Sequence, residues 1–156
     1  MQSIAETLGF TLAQLCRIHR SRVAEALSAC GLHPGQEMLL MQLWVEEGVP
    51  QARLVELLAV EPPTVTKMLQ RLERDGVIER RPDPHDARVS LVFLTPKGRD
   101  LRPQVEAAWQ RVDQQAFASL RIEERMLLQR MLHDVRTNLE QGLPPTSCCG
   151  VRECDE

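Results

Sequence analysis

PPTVTKMLQRLERDGVIERRPDPHDARVSLVFLTPKG, residues 62–98, decides the fold. Val65, Met68, Leu69 and Leu72 recur at helical spacing and predict one apolar face. Pro62 suits the first helical position, where its missing N–H costs nothing. Gly76 suits the position just past the end. "VIERR" and "VSLVFL" read as strands, the second with Val89, Leu91 and Phe93 alternating against Ser90, Val92 and Leu94. Between them Pro82 to Ala87 form a stiff, polar tip, and Arg88 follows at once. Thr95-Pro96 supplies a cap and a first-turn proline, opening another helix.

Working outward, "QARLVELLAV" (residues 51–60) predicts a short helix with Leu54, Leu57 and Leu58 on one face. Only Ala59 to Glu61 separate it from the helix that follows, a spacing that makes the pair a helix-turn-helix. Upstream, Ile4, Leu8, Leu12, Leu15, Ile18, Val23, Ala26 and Leu27 predict one long helix stopped at Gly31. A strongly apolar helix follows from Gly35 to Glu46, ended by Gly48 and Pro50. Downstream, Pro103 lies inside the helix opened by Thr95 and should kink it, since an interior proline removes a hydrogen bond. A last helix from Ile122 carries Leu128, Met131, Leu132, Val135 and Leu139. The expected fold class is mainly α with a small β part (α+β), a winged helix-turn-helix with N- and C-terminal dimerisation helices. Residues 1–142 form one domain in this reading. Its DNA-binding lobe covers about 51–95, its dimerisation helices about 1–30 and 96–142, and a cysteine-containing tail occupies 143–156.

Charge is unevenly placed. The chain carries a net charge of −3, yet residues 62–99 hold 8 Lys/Arg against 5 Asp/Glu, and the remainder holds 11 against 17. A basic middle in an acidic protein points to a nucleic-acid partner. No apolar run reaches the roughly 20 residues that span a bilayer, and no signal-peptide pattern opens the chain, so a cytoplasmic protein without a membrane partner is expected. Five cysteines without signs of export read as reduced thiols.

The outer face of the second helix carries Thr64, Thr66, Lys67, Gln70, Arg71 and Arg74, donors and acceptors with no acid among them. A helix of that kind fits the major groove, where Gln reads adenine and Arg or Lys reads guanine. An arginine on an adjacent hairpin suits the narrow, negative minor groove. Asp86 is expected to orient the Arg88 guanidinium through paired hydrogen bonds, and Pro82 and Pro84 to stiffen the tip. The alternatives are a solvated helix face with an ordinary turn, or a winged helix used for protein contact.

These motifs resemble the multiple antibiotic resistance regulators, the MarR family. The most specific part is Asp86-x-Arg88 followed by Leu94-Thr95-x-x-Gly98, and "GLHPGQEMLLMQLW" (residues 31–44) resembles the family's second helix. The resemblance implies a homodimer with interlocked terminal helices and two winged lobes on a pseudo-palindromic operator, usually in repression. It places Thr64, Thr66, Lys67, Gln70 and Arg71 in the major groove and Arg88 in the minor groove. The apolar faces at residues 4–27 and 128–139 agree, because they exceed what a small lobe needs to cover itself.

No cofactor is required by this reading, but three inputs are open: a small aromatic acid, an oxidant or a soft metal. Cys16 and His19 share a helix face, where an imidazolium lowers a thiol's pKa; a buried structural cysteine is the alternative. Cys148, Cys149 and Cys154 could bind a soft metal or form disulfides, or belong to an inert terminus. His19, Arg20 and Trp44 are candidates to line an effector pocket. His85 between Asp83 and Asp86 invites a metal reading, but a solvated wing tip is the simpler one. No Gly-rich phosphate loop, HExxH or CxxC is present, and the chain is not read as an enzyme.

Overall fold

The computed structural model describes residues 3–142 of the 156-residue chain, so Cys148, Cys149 and Cys154 lie outside the described residues. Two compact units are present, one ending at Ala116 and one beginning at Phe117.

A 3-10 turn, Ile4–Glu6, precedes α1 (Leu8–Ser28). The single helix expected over the first 30 residues is therefore broken at Thr7. That residue is extended, and its hydroxyl accepts the Phe10 N–H as the α1 cap. Gly31, at φ +71°, ends the segment; its N–H donates to the Ser28 carbonyl and that of Leu32 donates to the Leu27 carbonyl. α2 (Gln36–Val45) buries Leu39, Leu40 and Leu43 and sits in the core as its composition requires. α3 (Gln51–Leu58) and α4 (Pro62–Arg74) are joined by Ala59 to Glu61, with Ala59 left-handed at φ 50°. In α3 Leu54 is buried, with Val55 and Leu58 packed beside it; Leu57, on the face of Leu54 and Leu58, is 43% exposed and borders a cavity rather than the packed core.

The hairpin pairs β2 (Ile78–Pro82) with β3 (Ser90–Leu94), from Ile78 opposite Leu94 to Pro82 opposite Ser90. A third strand, β1 (Val49–Pro50), pairs antiparallel with β3 and makes the sheet order β1-β3-β2. By sequence Gly48 and Pro50 read only as a helix stop, with no strand expected there. Proline is tolerated there because β1 is an edge. Val92 and Leu94 point into the core.

The helix after Thr95 is two helices, α5 (Pro96–Asp100) and α6 (Arg102–Ala116). Pro103 thus occupies the first turn of α6, where its missing N–H is tolerated, rather than kinking a continuous helix. α6 packs against α1, and Val105, Ala108 and Val112 join Val23 and Leu27 in the core. In the second unit, α7 (Ile122–Gly142) contains no buried residue among those described. Arg125 there donates to the Leu120 and Phe117 carbonyls at 3.1 and 2.7 Å, tying the turn before α7 to its first residues.

Candidate nucleic-acid interface

α4 presents the two faces that its sequence requires. Val65, Leu69 and Leu72 are buried, while Thr64, Lys67, Gln70, Arg71 and Arg74 are exposed. Thr66 differs from its neighbours. Its half-buried hydroxyl accepts from Gln51 Nε2 and donates to the Pro62 carbonyl, both at 2.9 Å. That pair ties the start of α3 to the start of α4 and fixes the angle of the helix-turn-helix. Nothing in the sequence singles out Gln51, because a glutamine at a helix start carries no mark of a brace.

The far end of α4 is held as firmly. The Val77 N–H donates to the Leu72 carbonyl, and Gly76, at φ +69°, makes the turn. Thr95 then does three things: its N–H donates to the Val77 carbonyl, its hydroxyl reaches the Gly76 and Val77 carbonyls at 2.7 and 3.0 Å, and the same oxygen accepts the Gly98 N–H. Lys97 Nζ donates to the Asp75 carbonyl at 2.8 Å, a cation on the last carbonyls of a helix. The Leu-Thr-x-x-Gly motif is therefore a lock between the end of α4 and the base of the wing.

Two carboxylates brace the lobe. Glu73 on α4 accepts from Arg80 on β2, and that guanidinium holds its carboxyl below the usual range. Glu47 accepts both Arg99 nitrogens, at 2.9 and 2.7 Å, and the Leu94 N–H, and is likewise lowered, first by the Arg99 hydrogen bond.

At the wing tip the acids serve the backbone. Asp83 accepts the His85 N–H at 2.7 Å, and Asp86 accepts the Arg88 N–H at 3.0 Å. The expected paired bonds from Asp86 to the Arg88 guanidinium are not formed. An acid two residues before an N–H closes a local turn with less entropy loss than a long flexible side chain would need. Arg88 itself is exposed and, among the described residues, has no ion-pair partner. Lys67 and Arg71 likewise have none, whereas Arg74 pairs with Asp75 and Arg81 with Glu79. Arg81 also lies over the Phe93 ring, 4.7 Å from its centroid. The cations left open are thus Lys67 and Arg71 on the helix and Arg88 on the wing.

The MarR family model matches residues 32–90. The transcriptional regulator YdgJ of Bacillus subtilis, named as uncharacterized and HTH-type, is 31% identical over 112 residues, 71% of this chain and 68% of its own. The chain belongs to the MarR family. A probable transcriptional regulator from Pseudomonas aeruginosa has the same fold at 31% identity and TM-score 0.77, across 85% of this chain and 99% of its own. A mutant MarR from E. coli, solved in complex with operator DNA, is 25% identical at TM-score 0.77, across 86% of this chain and 99% of its own. This MarR-family protein is a winged-helix, DNA-binding transcriptional regulator; its family relatives are regulators rather than enzymes.

The first unit also contains a cavity of about 540 Å³, walled by side chains of α1, α2, α3, α4 and α6. His19 and Arg20 line it as the sequence suggested; Trp44 does not. Trp44 Nε1 donates to the Gly98 carbonyl at 3.0 Å, pinning α2 to α5. The tryptophan in the cavity wall is Trp109, 5.6 Å from the His19 ring. Thr64 and Met68 of α4 line the same space. Cys16 lies on the exposed side of α1, and among the described residues no group of three or more His, Cys, Asp or Glu is placed to hold a metal. No helix among them is long and apolar enough to cross a membrane.

Glu37 is the feature of this cavity that sequence reasoning missed. It is 6% exposed, and its Oε2 has no hydrogen-bond partner. Burial holds its carboxyl above the usual range; the backbone N–H groups of Glu37 and Gly35 and the charge of Arg20 oppose this but do not win. The folded carboxyl therefore binds its proton more tightly than the unfolded one. Ionised Glu37 costs stability above its folded pKa, and that cost fades as pH falls through it. Glu37→Gln is expected to raise the thermal midpoint by a few degrees at neutral pH, with the gap to the parent closing in acid. Equal midpoints at neutral pH in thermal unfolding would count against a charged, unpaired Glu37.

Proposed function

We propose that this regulator is a homodimeric repressor that holds a pseudo-palindromic operator and is released when a small molecule enters the α1–α6 cavity. The observation that carries the DNA part is the set of open cations, Lys67 and Arg71 on the outer face of α4 and Arg88 on the adjoining wing. In the proposed complex α4 lies in the major groove. There Lys67, Gln70 and Arg71 meet bases, Thr64 and Arg74 meet the flanking backbone, and Thr66 acts by holding the angle of the helix. Arg88 enters the adjacent minor groove, with Asp86 setting the turn that carries it.

Dimerisation is supported by the apolar surface of the terminal helices. Met131, Leu132, Val135 and Leu139 of α7 are all more than 40% exposed, as are Leu8, Leu15 and Ile18 of α1. A 21-residue helix with no buried residue among those described gains most of its stability by packing its apolar face on a partner. A second copy of the chain supplies it, and two-fold symmetry matches a palindromic site. Joining two lobes also raises affinity through effective concentration.

The cavity wall supports repression relieved by a ligand. Because Thr64 and Met68 belong to α4, a molecule filling the space bears directly on the helix proposed to read DNA. Lobe spacing that shifts by a few ångströms breaks simultaneous contact with both half-sites. The test of dimerisation is Leu132→Glu with Val135→Glu. Sedimentation should show a monomer, and affinity for an operator duplex should fall at least 100-fold. A double variant that remains dimeric and keeps its affinity removes α7 from the interface.

A further inference from the structure

The two ends of α4 are anchored unequally. Its C-terminal end is locked by the hydrogen bonds of Thr95 to Gly76 and Val77 and by Lys97 on the Asp75 carbonyl. Its N-terminal end opens on Pro62 and Pro63, and Glu61 before them makes no side-chain capping bond. Among the described residues a single side-chain hydrogen bond links α3 to α4, from Gln51 Nε2 to the Thr66 hydroxyl at 2.9 Å. Both residues are partly buried, where such a bond is stronger than in water.

Gln51 is also the first residue after β1, whose Val49 and Pro50 pair with Val92 and Leu91 of β3. The wing strand therefore reaches the start of α4 by a short path: across the ladder to Pro50, one peptide bond to Gln51 and one hydrogen bond to Thr66. The Thr66 hydroxyl completes it by donating to the Pro62 carbonyl in the first turn. We infer that Gln51 is a positioning residue for DNA recognition, aligning the start of α4 with the wing. With the bond in place, Lys67 on α4 and Arg88 on the wing are presented at a fixed relative angle. Without it the start of α4 is held by its apolar face alone, through Val65 and Leu69, and hydrophobic contact is non-directional. The helix then pivots about its locked C-terminal end, and displacement is larger at Lys67 than at Arg74 beside the lock. This role rests on the operator reading proposed above, and it gives that reading a residue that governs specificity without a base contact.

The experiment is selection of bound duplexes from a random pool by the full-length parent and by its Gln51→Ala, Lys67→Ala and Arg88→Ala variants. Affinities for the parent's site and for a scrambled duplex are then titrated. Gln51→Ala is expected to lose base preference at the positions that Lys67→Ala loses and to keep it at those that Arg88→Ala loses. Its affinity for the parent's site should fall roughly tenfold, one neutral hydrogen bond being lost in each subunit of the proposed dimer, with affinity for the scrambled duplex unchanged. Thr66→Val should reproduce Gln51→Ala, and Thr66→Ser, which keeps the hydroxyl, should retain the parent's affinity. Gln51→Ala combined with Thr66→Val should cost no more than either alone, because both remove the same bond. Thermal unfolding of each variant checks that it is folded. A folded Gln51→Ala protein with the parent's preference at every position, equal loss at every position, or additive losses in the double variant overturns the positioning role while leaving operator recognition intact. No enriched sequence with the parent overturns the operator reading, and the positioning role with it.

Discussion

Gly98→Ala is expected to destabilise the protein by more than about 3 kcal/mol, at the upper end of what a single added methyl does. A Cβ on residue 98 would stand 2.2 Å from the Val77 carbonyl oxygen and 3.2 Å from its carbon. These are backbone atoms. The same oxygen accepts the Thr95 N–H and hydroxyl, so it cannot retreat without undoing the lock at the end of α4. Retreat by residue 98 instead would pull its carbonyl from Trp44 Nε1, 3.0 Å away. Gly76→Ala is the matched control. A Cβ there meets nothing within 4 Å, and only the φ of +69° opposes it, which costs roughly 1–2 kcal/mol. Denaturant unfolding of the two variants should show Gly98→Ala losing clearly the more stability. Equal losses would mean that the close approach of α5 to the turn after α4 is not tight.

The second large effect concerns DNA. Arg88→Ala is expected to weaken operator binding by about 1–3 kcal/mol for each arginine removed, and the proposed two-fold symmetric complex would give up two. The result is on the order of 100-fold or more in affinity, with a shallower salt dependence. Lys67→Ala and Arg71→Ala belong to the same class. Arg81→Ala is the comparison, because its guanidinium is already engaged by Glu79 and the Phe93 ring. Its loss should weaken binding clearly less. Equal effects of Arg81 and Arg88 in a fluorescence anisotropy titration would take away the wing tip's special part.

The helix-turn-helix and hairpin were legible because prolines, glycines and periodicity agreed on every boundary from Pro62 to Gly98. The fold failed to show itself where tertiary contact decides. Val49 and Pro50 have no strand pattern and become β1 only by pairing with Val92 and Leu91. Leu57 lies on the face of Leu54 and Leu58 but stays partly exposed, because it borders the cavity rather than the packed core. At the wing, the sequence supplied an acid and an arginine two apart. It could not say whether the carboxylate would take the guanidinium or the N–H, since both are donors within reach.

Of the candidate site, the outer face of α4 was readable because it lacks acids. The cavity was not. Two tryptophans look alike in a sequence, but Trp44 is consumed by the Gly98 carbonyl and Trp109 is left in the cavity wall. The available signal was Glu37, a lone acid inside the most apolar helix of the chain. A charge in such a helix needs either a partner or a purpose.

The most direct measurement is selection of bound duplexes from a random DNA pool by the full-length protein, followed by titration of the selected site across salt concentrations. An inverted repeat with half-sites about one helical turn apart is predicted. Affinity for it should fall steeply with salt, as counterion release at several phosphates requires. No enriched sequence, with weak binding at every salt concentration, would contradict operator recognition and return the winged lobe to the role of a protein-binding surface.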